Sequence, residues 1–225
     1  MKSKLGLFIV MILRALSGFV ILGLLLFLSA GNLIYVAAWR FIFVLAALMF
    51  TMGIVLLIKF PETLEKRMKT KEIESAQKGY IVLSAFVFLL TFVLAGLDFR
   101  LGWSQIPRGA ELAALGIGIL GYALFAAAMF QNAYASRVVE VQEGQTVISS
   151  GVYSLIRHPM YLACLLLFLS MPIALGSFFA LIPMLGLPVV LVLRIKNEEV
   201  VLLSGLEGYA EYMEKTKYRL IPYIW

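Results

Sequence analysis

The residues able to do chemistry gather in two short segments. One reads G-V-Y-S-L-I-R-H-P-M-Y and sets Tyr153, Arg157, His158 and Tyr161 around Pro159. The other reads L-R-I-K-N-E-E and holds Arg194, Glu198 and Glu199. Pro159 suits the first turn of a helix, where its missing N–H costs nothing. Arg157 and His158 then stand at the helix start, with Tyr161 inside its first turn. Arg194 and Glu198 are four positions apart and share one helical face. A guanidinium can fork a carboxylate or phosphate, and an aromatic face can stabilise a cation. Taken alone, each segment also has a plainer reading. The first would serve as a basic, aromatic interfacial anchor, the second as solvated glutamates at a helix end. They make a site only if the fold brings them to one place.

The elements that must do so are membrane helices. Of the 225 residues, 62% are hydrophobic and 14% charged, against roughly 45–50% and about 25% in soluble domains. Mean hydropathy is +0.97. Too few polar residues remain to cover a soluble globule, which excludes a soluble nucleic-acid-binding domain and a disordered chain. The net charge of +6 resides in loops beside apolar runs and does not point to nucleic acid. A single cysteine, Cys164, excludes an intramolecular disulfide, and a single histidine, His158, leaves a His/Cys metal site unsupported.

Four apolar runs, Leu5–Ala30, Val36–Ile58, Tyr80–Leu97 and Gly109–Phe130, are each long enough to span a bilayer. The first is too long for a signal peptide. A fifth run, Met160–Leu193, is too long for one span and short for two. With Pro172, Gly176, Pro183 and Pro188 inside it, it is expected to be a helical hairpin turning near Gly176–Ser177. The turn must lie at the interface or be buried in protein, because lipid cannot satisfy its backbone. The expected fold is all-α and polytopic: transmembrane helices 1–4 in residues 1–130, and a region from 131 to 225 containing the membrane hairpin 160–193 and a tail. A hairpin returns its second arm to where the first began, so seven groups should converge: Tyr153, Arg157, His158, Tyr161, Arg194, Glu198 and Glu199. Fifteen of the nineteen Lys and Arg residues fall on one side of this map, which predicts both termini and the site in the cytoplasm. That count includes Lys2, Lys69, Lys71 and Arg137.

Some features are set aside. Gly116, Gly118 and Gly121 have a G-x-G-x-x-G spacing, but they lie inside an apolar helix with no preceding strand, so close helix packing explains them better than a dinucleotide. Arg40, near the start of its span, can snorkel or pair; Arg14, deeper, needs a buried acceptor or a later helix start. The mixed-charge segment 59–78 reads as a solvated helical linker. The tail, with Tyr209, Tyr212, Tyr218, Arg219, Tyr223 and Trp225, reads as interfacial docking or as a lid over the site.

The order Gly151-x-Tyr153, Arg157-His158-Pro159-Met160-Tyr161, apolar hairpin, Arg194 with Glu198-Glu199, and Tyr209–Tyr212 followed by Y-R-L-I-P resembles the isoprenylcysteine carboxyl methyltransferase and phospholipid methyltransferase group. The likeness covers roughly residues 131–225. It implies an integral-membrane methyltransferase using S-adenosyl-L-methionine. It further implies catalytic roles for Arg194, Glu199 and Tyr212, and cofactor binding by Gln142, Gln145, Thr146, Val147, Ile148, Tyr153, Arg157, His158, Pro159, Met160, Tyr161 and Glu198, with no metal. Two positions depart from the pattern: Gln145 often stands as histidine, and Ala163 replaces a glycine. The implied partner is a lipophilic small molecule or a prenylated acceptor, most simply a carboxylate, in contact with membrane lipid. Alternatives are a phospholipid amine N-methyltransferase, an NADPH-dependent sterol-type reductase and a non-enzymatic membrane scaffold. The Glu198–Glu199 pair would repel a 2′-phosphate, which argues against the reductase. Oligomeric state is left open.

Overall fold

The computed structural model describes residues 4–68, 75–136 and 138–225. Lys2, Lys69, Lys71 and Arg137, four of the basic residues used to orient the chain, lie outside the described residues. All regular elements among the described residues are helical. They are α1 (Lys4–Ala30), α2 (Val36–Lys59), α3 (Pro61–Arg67), α4 (Ser75–Leu101), α5 (Arg108–Gln131), α6 (Pro159–Ala174), α7 (Leu181–Met184), α8 (Gly186–Gly205) and α9 (Tyr209–Lys215), with a 3-10 turn at Gly151–Ser154. Among the described residues, α1, α2, α4 and α5 are long and apolar enough to cross a bilayer, and α6 is a shorter apolar helix. The chain is a multi-pass integral membrane protein.

Helix α4 runs past both ends of the expected Tyr80–Leu97 span. At its far end Asp98 closes the apolar run without ending the helix, because its carboxylate is fully used in the interior. Asp98 is 1% exposed. It accepts from the Ser104 amide and hydroxyl, each at 2.7 Å, and from the Ser177 hydroxyl. Ser177 in turn accepts from the Ala180 amide at 2.9 Å. These bonds satisfy the turn between α6 and α8, which falls at Gly176–Ser177 as expected and is buried in protein. The second hairpin arm is longer than expected: α8 continues as helix through the polar R-I-K-N-E-E stretch to Gly205.

Helices α5 and α6 pack face to face. A Cβ on Gly121 would lie 2.8 Å from the Leu167 amide and 3.0 Å from the Ala163 carbonyl, and one on Gly118 would lie 3.2 Å from the Ser170 hydroxyl. Close packing is therefore the role of Gly118 and Gly121; nothing crowds Gly116. Ala163, which departs from the resembled pattern, lies against Gly121.

Both charged residues inside spans find partners. Arg40 pairs with Glu111 in the first turn of α5. Arg14 donates to the Met68 carbonyl at 2.7 Å, capping the C-terminal end of α3. That bond sets the end of α3 beside α1, and α3, the described residues of 132–158, the start of α6 and the end of α8 meet around one cleft at the same end of the bundle. Leu7, Met52, Leu56, Leu64, Met129 and Ala135 form a common apolar cluster there. The opposite end carries the α1–α2 turn, the α4–α5 loop and the hairpin turn.

Candidate active site

At the first of these ends the hairpin arms, the 132–148 segment, α3 and α9 enclose a cleft of about 260 Å³. Pro159 opens α6 with His158 as its N-cap residue, as the spacing predicts. Tyr161, one turn in, then faces the last turns of α8. Its hydroxyl donates to Glu198 and accepts from Arg194 Nε at 2.9 Å. These three side chains all line the cleft.

Arg157, His158 and Glu199 form a second layer behind it. Arg157 Nε donates to Glu199 Oε1 at 2.8 Å, and His158 Nε2 lies 3.2 Å from the same oxygen. Arg219 Nε meets Glu199 Oε2 at 2.7 Å. Burial alone would raise the Glu199 pKa, but hydrogen bonds from His158, Arg157 and Arg219 outweigh it and hold the carboxyl at about 2. Glu199 is 3% exposed and does not line the cleft. Glu199, for which the resemblance implies a catalytic role, has both oxygens taken up by Arg157, His158 and Arg219. Arg157 and His158 do border the cleft, yet Arg157 Nε and Nη1 and His158 Nε2 are turned to Glu199 and the tail rather than into open space.

The tail is stitched to the start of α6 by backbone bonds. The Arg157 amide donates to the Tyr218 carbonyl and the His158 amide to the Arg219 carbonyl, both at 2.9 Å. Arg157 Nη1 adds bonds to the Thr216 and Lys217 carbonyls at 2.7 and 2.8 Å. This docking sets α9 against the cleft, so Tyr209 and Tyr212 become part of its wall. Tyr212 donates to the Tyr153 carbonyl at 2.7 Å. Tyr223, by contrast, is 89% exposed.

The other residues expected at the site divide by position. Gln145, Thr146, Val147, Ile148, Tyr153, Pro159 and Met160 line the cleft; Gln142 does not. Gln142 shapes the loop instead. Its amide donates to Gln145 Oε1 at 2.9 Å and its Nε2 to the Tyr134 carbonyl at 2.8 Å. Gln131, at the end of α5, accepts from the Val152 amide at 2.8 Å. Gly151, with φ of +58°, lies so close to that glutamine that a side chain there would collide with it. Burial pushes the Tyr153 and Tyr212 phenols up to about 12, so both stay neutral near physiological pH.

Sequence reasoning missed several lining residues: Arg67 and Phe125, and the stretch Asn132–Glu140, where Tyr134, Ala135, Ser136, Val138 and Val139 also contribute. Arg67 comes from α3, the segment expected to be a solvated linker. Lys66 sits 5.0 Å above the Tyr134 ring and donates to the Ala133 carbonyl at 3.1 Å. Arg67 lies 5.2 Å above the Phe125 ring and donates to the Ser136 carbonyl at 3.1 Å. The one sequence cue was the adjacent Lys66-Arg67 pair directly after an apolar span.

Residues 114–204, from the second turn of α5 to the last turn of α8, match the model of the isoprenylcysteine carboxyl methyltransferase (ICMT) family. Over these residues, fewer than half of the chain, the sequence is similar to that family. The matched family is, by its name, one of carboxyl methyltransferases. The ICMT match contains Arg157, His158, Tyr161, Arg194, Glu198 and Glu199, and it leaves out α3 with Arg67 and the tail with Tyr209, Tyr212 and Arg219. A solved structure of the eukaryotic intramembrane Ras methyltransferase ICMT, without a monobody, superposes with a TM-score of 0.49 at 18% identity, covering 98% of this chain and 93% of that one. No curated protein sequence matches the chain.

Proposed function

We propose that this chain transfers a methyl group from S-adenosyl-L-methionine to the carboxylate of a lipophilic acceptor of the isoprenylcysteine type, at the cytoplasmic face of the membrane. The observation that carries the reading is the Arg194–Tyr161–Glu198 chain at the mouth of the hairpin. It sets a cation and an anion side by side in a cleft also lined by Phe125, Met160, Leu202 and Leu206. A polar donor and a greasy acceptor both find suitable surface there.

The residues present fit such a donor. Bound there, it would supply an electrophilic methyl on a sulfonium. Glu198 is suited to its ammonium or ribose hydroxyls, the faces of Tyr153 and Tyr161 to its positive charge, and the Gln145–Ile148 strip to its remaining polar edge. Arg194, whose Nε donates to the Tyr161 hydroxyl, is suited by its planar guanidinium to orient the acceptor's carboxylate. A carboxylate nucleophile needs no general base, and the neutral tyrosines around the cleft offer none. The protein's contribution is then to position donor and acceptor for an in-line displacement. Arg157, His158 and Glu199 keep the two hairpin arms and the tail at the spacing this requires. On this reading residues 131–225 form the donor-binding region, completed by α3.

Calorimetric titration of S-adenosyl-L-methionine into the purified protein tests the proposal. Saturable binding that competes with S-adenosylhomocysteine supports it. Absence of binding, or binding of NADPH instead, would overturn it.

A further inference from the structure

The terminal turn of the tail carries an apolar surface that the cleft does not use. Ile221, Pro222, Tyr223 and Ile224 are consecutive and all exposed, Tyr223 and Ile224 for most of their area. The turn is closed by its own backbone. The Trp225 carbonyl accepts from the Arg219 and Leu220 amides at 2.9 and 3.0 Å, and the Ile224 and Trp225 amides both donate to the Ile221 carbonyl at 3.1 Å. Tyr223 takes φ of +66°, the one non-glycine residue with positive φ among the described residues. A bulky side chain rarely adopts that region, and it persists only where its surroundings enforce it. Here the enforcing groups are the bonds on either side and the Tyr218 ring, 5.2 Å from that of Tyr223. The fold thus accepts local strain at a residue that points outward.

Two sets of contacts fix where the turn lies. The Tyr218 and Arg219 carbonyls accept from the Arg157 and His158 amides at the head of α6, the first arm of the membrane hairpin. The Arg219 guanidinium lies 5.2 Å over the Trp225 ring and donates to Glu199 on the second arm. The turn therefore stands at the level where both arms meet the polar boundary of the bilayer. Leu155, two residues before Arg157, is exposed at the same boundary. From Lys215 to Trp225 the chain carries three basic residues and no acidic one, and Lys215 and Lys217 are exposed. An apolar projection with a basic border matches a leaflet that contains anionic headgroups, and Tyr223 and Trp225 are residue types that favour headgroup depth.

We propose that residues 221–224 form an apolar foot seated in the lipid leaflet on the cleft side of the membrane. The occupant of this surface is lipid, not a second copy of the chain or another protein. The same tail supplies Tyr209 and Tyr212 to the cleft wall, so the seated foot holds that wall at the membrane surface. The lipid contact does not depend on the methyltransferase reading.

The test uses the full chain in vesicles of phosphatidylcholine and phosphatidylglycerol. In a Cys164→Ala background, Tyr223→Cys, Ile224→Cys and, as a control on the exposed face of α9, Glu214→Cys are each labelled with an environment-sensitive fluorophore. Labels on the foot should emit blue-shifted, be quenched by brominated lipid chains and be shielded from aqueous iodide. The Glu214→Cys label should show the reverse. A fluorophore can itself partition, so the second measurement leaves the foot intact. A phospholipid bearing a diazirine near its headgroup is photolysed with the unlabelled chain, and the adducts are mapped by mass spectrometry. Adducts on residues 221–224, lost in a folded Ile221→Ser/Tyr223→Ser/Ile224→Ser variant of unchanged melting temperature, support the proposal. Three results overturn it: foot labels that behave like the Glu214→Cys label, absence of lipid adducts from the foot of wild type, or shielding of the foot that disappears when the protein is diluted in lipid, which would show a second copy as the occupant.

Discussion

Arg157 and Glu199, 42 positions apart in sequence, meet at 2.8 Å where the two hairpin arms close. The pair is almost wholly buried, with 4% of each side chain exposed, and it is completed by His158 and Arg219 on the remaining carboxylate sites. One carboxylate thus ties together the start of α6, the end of α8 and the tail. Immediately beside it in sequence, Glu198 points the other way, into the cleft.

Glu199→Gln should act through the fold. Removing one member of a buried charge cluster leaves the others uncompensated, at a cost of about 3–5 kcal/mol. Melting temperature in detergent is expected to fall sharply, and donor affinity only as folded protein is lost. A variant as stable as wild type, but inactive, would return Glu199 to the chemistry.

The same carboxylate predicts an acid limit. Its folded pKa, about 2, lies below the ordinary value of 4.5 for an unfolded glutamate. A depressed carboxylate pKa contributes stability that is fully present above the unfolded value and is lost as pH falls through the folded one. Wild type should therefore lose stability between pH 4.5 and about 2. Glu199→Gln should lack this component, and identical acid profiles for the two proteins would contradict the assignment.

Glu198→Gln should leave melting temperature nearly unchanged and weaken S-adenosyl-L-methionine binding. A hydrogen bond to a charged group contributes about 1.5–3 kcal/mol, so roughly tenfold or more in affinity. Unaltered donor affinity in the folded variant would remove Glu198 from the donor site.

Gly121→Val tests the platform under the site. The new side chain would press on the Leu167 backbone and the Ala163 carbonyl of α6. Overpacking of this kind costs about 1–3 kcal/mol. Gly116→Val, with open space around it, should be neutral by the same melting measurement.

Much of this arrangement was legible in the sequence. The apolar runs gave the spans, and the cluster Pro172–Gly176 placed the hairpin turn. The hairpin then required Tyr161 to meet Arg194 and Glu198, and it does. What stayed hidden depends on tertiary contact. Glu198 and Glu199 are identical in type and adjacent, and only the helical phase of α8 against α6 sends one into the cleft and the other behind it. Asp98 looked like the end of a span because nothing local reveals that Ser104 and Ser177 will satisfy it. Arg67 lay in a mixed-charge stretch with no apolar periodicity, and its place in the cleft wall depends on Phe125 and Ser136, 58 and 69 positions further on. The tail's backbone pairing with Arg157 and His158 leaves no side-chain pattern to read.

The orientation can be checked by labelling. Single cysteines placed near residues 3, 70 and 215, in a chain lacking Cys164, should resist a membrane-impermeant reagent applied to intact cells. Labelling at position 70 from outside would invert the assigned sidedness, and with it the access of the site to a cytosolic donor.

The central claim is a methyl ester formed on a lipophilic carboxylate, and one assay addresses it most directly. The protein in lipid nanodiscs is incubated with methyl-labelled S-adenosyl-L-methionine, a farnesylcysteine acid, its amide and phosphatidylethanolamine. The account predicts label in the acid alone, released by mild base as an ester requires. Absence of label, or base-stable label in the phospholipid, would contradict it.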